Sequence, residues 1–310
     1  GTRGAGCNFL SQGLCWTLRP FIIYFELFLL APNLIARCDI ISVSPAGSLR
    51  DAISQAVAGD VVELGPGLYK GVDNCNIRIL VSAIEIRGIS SATVIDCSGT
   101  DLRHFTIIGN NCKIHGIQFL NGISKAKFHY NSDLPRYPYG VSTYPLDENI
   151  LSSTAIESAT FNSSDSGGCL LITGSGTTVY NSYFQNCSSP FNGGGISIQS
   201  AGGTTVLRNI SVVSSRSDKR GGALLVVSST VLISDSQITN NFALEGAGIY
   251  LVGSPGSPAA LLADNLTVSG NAAYNPAAPT QSPDFSGSGG GIVADGEGTT
   301  LVVSGPSLLE

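Results

Sequence analysis

The sequence predicts an all-β chain wound as a single-stranded, right-handed parallel β-helix, a solenoid with a short N-terminal capping helix. Three observations carry that expectation. A glycine corner returns as GGCL at Gly167–Leu170, GGGI at Gly193–Ile196, GGAL at Gly221–Leu224, GAGI at Gly246–Ile249 and GGGI at Gly289–Ile292, with gaps of 25 to 28 residues and a last gap of 43. A fixed period in the twenties is the signature of stacked repeats. Each corner opens a short run of branched apolar residues, and no helical stretch separates one run from the next.

Taken in chain order, the first 38 residues read as a leader. Arg19-Pro20 precedes the apolar core Phe21–Ala31, and small residues at Ala36 and Cys38 suit cleavage before Asp39. The core is shorter than the ~20 residues of a membrane anchor. Residues 39–60 form the N-terminal cap. Within Ser48–Val57 the apolar Leu49, Ala52, Ile53, Ala56 and Val57 fall on one helical face, opened by Ser48 with Asp51 three residues later. Such a helix plugs the open end of a solenoid, whose first coil otherwise exposes apolar rungs and strand edges.

Residues 61–310 are expected to form the β-helix, starting with the strand Val61–Leu64. Entry coils follow, in which Ile84–Gly88 matches Phe105–Gly109 at a spacing of 21, and Val94–Cys97 and Ile114–Ile117 supply further strand-and-corner pieces. In the regular repeats, the first strands are Leu170–Thr173, Ile196–Gln199, Leu224–Val227, Ile249–Val252 and Ile292–Ala294. The second strands are Val179–Tyr183, Val206–Ile210, Val231–Ser234, Leu261–Asp264 and Leu301–Val303. Asparagines at Asn186, Asn241 and Asn271 close several repeats and suit an amide ladder along the stack, with sugar or ion contact as the other reading.

The chain resembles a known group in these residues. Gly47–Ile53, Ala58–Leu64 and Pro66–Tyr69 look like the entry segment of pectate-lyase-like β-helix proteins. The later coils resemble the polymorphic outer membrane protein repeat, whose glycine half matches five times. Its F-x-x-N half is degenerate at Tyr183–Asn186, Ile238–Asn241 and Val268–Asn271. The resemblance covers roughly residues 45–304 and implies a fold that hosts lyases, hydrolases, adhesins and filament proteins alike.

A cleaved leader predicts a secreted or cell-surface protein, and export invites disulfides. Five of the eight cysteines remain after cleavage: Cys75, Cys97, Cys112, Cys169 and Cys187. Cys75 and Cys97 are 22 apart, close to one coil. They fit a bridge between neighbouring rungs, or two buried free thiols. Four N-glycosylation sequons begin at Asn162, Asn186, Asn209 and Asn265. Asn162 is the best acceptor, since Asn186 has a competing place in the ladder. Pro255–Pro258 and Pro276–Pro283 suit O-linked sugar.

Departures from the period share one slot. The excursion 123–166 and the extra chain between Asn271 and Gly289 occupy the position of Ser188–Asn192, Ser214–Arg220 and Phe242–Glu245 in their own coils. Because coils stack in register, these loops should project from one ridge. The longest carries His129, Tyr130, Tyr137, Tyr139 and Tyr144, a tyrosine-rich candidate binding loop.

These features predict a structural or adhesive glycoprotein that meets glycan or an extracellular protein along the ridge, with self-association into a rod as a further expectation. The chain reads as part of a longer product whose coils continue past Glu310. Only 12% of residues are charged, the net charge is −6, and no basic stripe suits nucleic acid. No cofactor or metal spacing stands out. The rival reading is a polysaccharide lyase or glycoside hydrolase, which needs clustered acids and a proton-transferring group. Its nearest candidates are Asp96, Asp101, Arg103 and His104, or Arg216, Asp218, Lys219 and Arg220.

Overall fold

A computed structural model describes residues 38–124, 166–200, 202–273 and 289–309. Every named strand pairing in it is parallel, and strands accumulate as stacked coils with several faces. The long sheet begins with Ile40–Val43, Val61–Leu64, Glu85–Gly88 and Lys113–His115. It continues through Thr178–Gln185, Thr204–Val213, Thr230–Thr239, Ala260–Ser269 and Thr300–Ser304. A second face stacks Ile77–Ile79, Phe105–Ile107, Leu170–Ile172, Ile196–Ile198, Leu224–Val227, Ile249–Val252 and Ile292–Asp295. A short third face stacks Ser188–Ser189, Arg216–Ser217, Phe242–Ala243 and Ala272–Ala273.

The sequence forms these elements because strand side chains alternate between core and solvent. Inward positions make continuous columns. One runs Val62, Ile86, Ile114, Val179, Leu207 and Ile233; another runs Tyr69, Ile95, Phe119, Phe184, Val212, Ile238 and Val268. All of these side chains are buried, and the rings of Phe119 and Phe184 stack with centroids 4.9 Å apart.

Two jobs explain the paired glycines of these corners, of which the fourth has Ala247 in second place. The first, at Gly167, Gly193, Gly221, Gly246 and Gly289, has φ between +55° and +79°, the left-handed region that a side chain disfavours. The second lets backbones touch. A Cβ at Gly194 would stand 2.3 Å from the carbonyl oxygens of Arg216 and Gly222, and one at Gly222 would stand 2.3 Å from that of Ala247.

The helix spans Leu49–Gln55, with Ser48 Oγ accepting from the Asp51 backbone N–H at 3.1 Å. It buries Leu49, Ala52 and Ile53 against the first rungs. Arg50 fastens it by donating to the carbonyls of Val72 and Cys75, each at 2.7 Å. The cap region also contributes a rung, since Ile40–Val43 pairs with Val61–Leu64. The sheet therefore starts inside the segment assigned to the cap.

Two expected registers are corrected. Ile84–Gly88 and Phe105–Gly109 are not equivalent: Ile86 pairs with Ile114 on the long sheet, whereas Phe105 pairs with Ile77 and Leu170 on the second face. Both faces read as apolar–x–apolar before a glycine, so local pattern alone does not tell them apart. Asn186 is also one position out of step with Asn241 and Asn271. Phe184 pairs with Val212, Val212 with Ile238 and Ile238 with Val268. The residue in register with Asn241 and Asn271 is therefore Cys187.

Candidate functional site

The second strands are longer than the sequence suggests because each passes through a bend without leaving the sheet. The bend residues are Gly116, Asn181, Asn209, Asp235, Asn265 and Gly305, all with φ between +48° and +70°. Asparagine and aspartate tolerate this conformation better than other residues with side chains. Their side chains link successive coils: Asn209 Nδ2 donates to Asn181 Oδ1 at 2.8 Å, and Asn265 Nδ2 donates to Asp235 Oδ1 at 3.1 Å.

After each bend residue from Gly116 to Asn265 comes an inward residue and then an outward polar one. Asn209-Ile210-Ser211 and Asn265-Leu266-Thr267 share this frame with Asn181-Ser182-Tyr183 and Asp235-Ser236-Gln237. Two of the four sequons thus coincide with a structural frame that needs no sugar to explain it. Asn186 belongs to a second bend column with Asn121 and Asn240, and donates to Asn121 Oδ1 at 3.4 Å. Asn162, His129, Tyr130, Tyr137, Tyr139 and Tyr144 lie outside the described residues.

The bend creates an axial groove of about 660 Å³. Its floor is the bend itself, and one wall is the outward column Gln118, Tyr183, Ser211 and Gln237. Among the described residues the one charged side chain in the lining is Asp235, whose Oδ2 is 3.6 Å from Arg208 Nε. Beside the floor, His115 stacks on Tyr180 with ring centroids 4.2 Å apart, and His115 Nε2 lies 3.1 Å from Glu85 Oε1. Burial, together with the charge of Glu85, raises the Tyr180 phenol above its ordinary pKa. Amides, hydroxyls and a ring face repeated along one axis can hold an extended polar chain by many weak contacts. This groove was missed in the sequence because its wall residues share only polarity; the repeated bend–inward–polar triplet was the available signal.

The two excursions do share an edge. Ile123 bridges to Ser188, Ser188 pairs with Arg216, Arg216 with Phe242 and Phe242 with Ala272, so both loops leave at equivalent rungs. Both return at a first-position glycine, Gly167 or Gly289. Between them the short turns fold over the outer side of the second face, where Leu225 and Tyr250 are buried although they point away from the core columns. Arg220 lies 5.0 Å from the Tyr250 ring centroid and bonds Glu245 at 2.8 Å; Lys219 lies 5.1 Å from the Phe191 ring centroid.

Neither group of acid–base candidates forms an open catalytic cluster. His104 is fully buried, with Nε2 3.0 Å from the Ile95 carbonyl, and burial lowers its pKa to about 4. Arg103 is buried and donates to the Ser166 carbonyl at 2.8 Å. Asp96 pairs with Lys70 at 2.9 Å and accepts from Asn121 at 2.9 Å. Burial acts to raise the Asp96 pKa, but these bonds and those from Ser98 outweigh it, and the carboxyl stays well below the usual range. In the second group, Asp218 pairs with Arg216 at 3.1 Å. Burial raises Asp218 against that pairing, and burial with neighbouring Arg220 lowers Lys219. No group of three or more His, Cys, Asp or Glu side chains is placed to hold a metal ion among the described residues.

Among the described residues, two disulfides lie within the stack. Cys75–Cys97 joins neighbouring rungs with an S–S distance of 2.04 Å, and Cys169–Cys187 closes the glycine corner against the end of the next strand at 2.00 Å. Cys112 is a buried thiol.

A family model for the right-handed β-helix region matches residues 70–305. The chain belongs to the right-handed β-helix family. Comparison with curated proteins and with solved structures gives no match. For a right-handed β-helix, the axial groove and the common edge of the excursions are the places where chemistry differs from scaffold.

Proposed function

We propose that this β-helix is an extracellular or cell-surface structural and adhesive protein that holds an extended glycan along the bend groove. The observation that carries the reading is the register of Gln118, Tyr183, Ser211 and Gln237, which repeats polar contacts at about 4.8 Å along the axis. A tyrosine face suits the apolar side of a sugar ring, and amides and hydroxyls suit its hydroxyls. Among the described residues the lining holds one carboxylate and no lysine or arginine, so the favoured ligand is a neutral glycan rather than a polyuronate. The tyrosine-rich excursion adds a second contact region on its ridge for glycan or protein. Export through the leader and sugar at Asn162 belong to the same proposal, as does the finer resemblance to pectate-lyase-like proteins and polymorphic outer membrane protein repeats.

The test is a glycan array probed with the exported chain, run beside assays for new reducing ends and unsaturated products. Retention of neutral glycans without products is expected. Product release would move the reading to a lyase or hydrolase, and an array with no retained glycan would reject the groove as a sugar site.

A further inference from the structure

One outward column of the long sheet changes character part-way along the stack. In register it reads Glu85, Lys113, Thr178, Val206, Leu232, Leu262 and Val302. The first three are polar, as solvent-facing positions of a half-buried sheet are. The last four are apolar, and Leu232, Leu262 and Val302 are 39%, 41% and 48% exposed. They face away from the core, whose inward neighbours Ile233 and Leu261 are already fully packed. With Ser234, Asp264 and Ser304 they line a shallow trough of about 270 Å³, on the far side of the bend from the glycan groove's polar wall.

We propose that this face pairs two copies of the chain about a two-fold axis. The neighbouring outward column reads Tyr180, Arg208, Ser234, Asp264 and Ser304, so one charge of each sign stands one rung to either side of Ser234. A two-fold axis parallel to the strands, through the rung of Leu232 and Ser234, sets each column against its own copy in reverse order. Leu232 then meets Leu232, Val206 meets Leu262, and Arg208 faces Asp264 twice. Self-complementarity of this kind is what a two-fold interface requires. Moving the axis by one rung sets Arg208 or Asp264 against its own copy, or separates the pairs, so the charges select one register. Arg208 is free to exchange partners, because its 3.6 Å contact with Asp235 is exposed and such pairs are weak. The face is only two outward columns wide and a few rungs long, smaller than a standard interface, so the dimer is weak and concentration-dependent.

The test is sedimentation velocity of the full chain from ~10 μM to ~1 mM, the range in which a small interface associates. The dimer fraction should rise with concentration. Arg208→Glu and Asp264→Lys should each weaken association by about tenfold or more, and the double variant should restore it. Leu232→Lys should leave only monomer, with far-UV circular dichroism unchanged because the side chain faces solvent. A chain that stays monomeric throughout overturns the proposal. So does a dimer that survives Leu232→Lys, or one that the paired charge reversal fails to restore.

Discussion

Asn209 donates its side-chain amide to Asn181 Oδ1 at 2.8 Å, and the two residues occupy the same left-handed bend one coil apart. The bond spans 28 residues of sequence but one rung of the stack. It ties backbone conformation to register, and the groove exists only where both hold. Asn209→Ala should cost roughly 1–2 kcal/mol, from the lost bond and from a methyl group in the left-handed region. Asn209→Gly should recover the backbone share. Urea unfolding of the three proteins measures both effects.

The Cys169–Cys187 bridge should contribute about 3 kcal/mol, as expected for a loop of this size. Its column gives a sharper test. Asn241 and Asn271 occupy the same position, and Asn241 Oδ1 accepts from the Ser215 backbone N–H at 2.9 Å. Combined with Cys169→Ala, Cys187→Asn should therefore be more stable than Cys187→Ala, by about 1 kcal/mol for one backbone hydrogen bond. Thermal melts of the two double variants decide it.

Much of this architecture was legible in the sequence. Repeated glycines marked corners because their backbone demands are local, and Ser48 marked the start of the helix for the same reason. Register between faces was not legible where two faces carry the same pattern, as with Ile84–Gly88 and Phe105–Gly109. The Cys187 column was hidden because Asn186, its neighbour, completes a convincing but shifted asparagine series. The groove was hidden because bend residues and sequon residues are written in the same letters, Asn-x-Ser and Asn-x-Thr. The excursions' shared edge followed from repeat arithmetic, whereas the apolar column from Val206 to Val302 emerges only once rungs are stacked.

Gly194→Ala should be severely destabilising, by about 3 kcal/mol or more, because the added methyl meets stacked backbone that cannot move without breaking the ladder. Ala247 occupies the same motif position in the fourth repeat, so Ala247→Gly should change stability by no more than about 1 kcal/mol. Denaturant midpoints of the two variants give the contrast.

His104 should make the fold acid-sensitive above the range of carboxylate titration. Its pKa falls from 6.5 to about 4 on folding, chiefly through burial, so the unfolded chain binds more protons between those values. Stability from this group is present above pH 6.5 and is lost as pH falls toward 4, by on the order of 3 kcal/mol. Unfolding free energy measured from pH 7 to pH 4 should show that slope, and His104→Phe should flatten it.

The groove reading is tested most directly by titrating a neutral oligosaccharide series of increasing length into the chain and into Tyr183→Ala, by calorimetry. Affinity should rise with each added sugar until the ligand spans the rungs from Gln118 to Gln237, then level off, and Tyr183→Ala should lower the plateau by about tenfold. Affinity independent of length, or a plateau untouched by Tyr183→Ala, would contradict it.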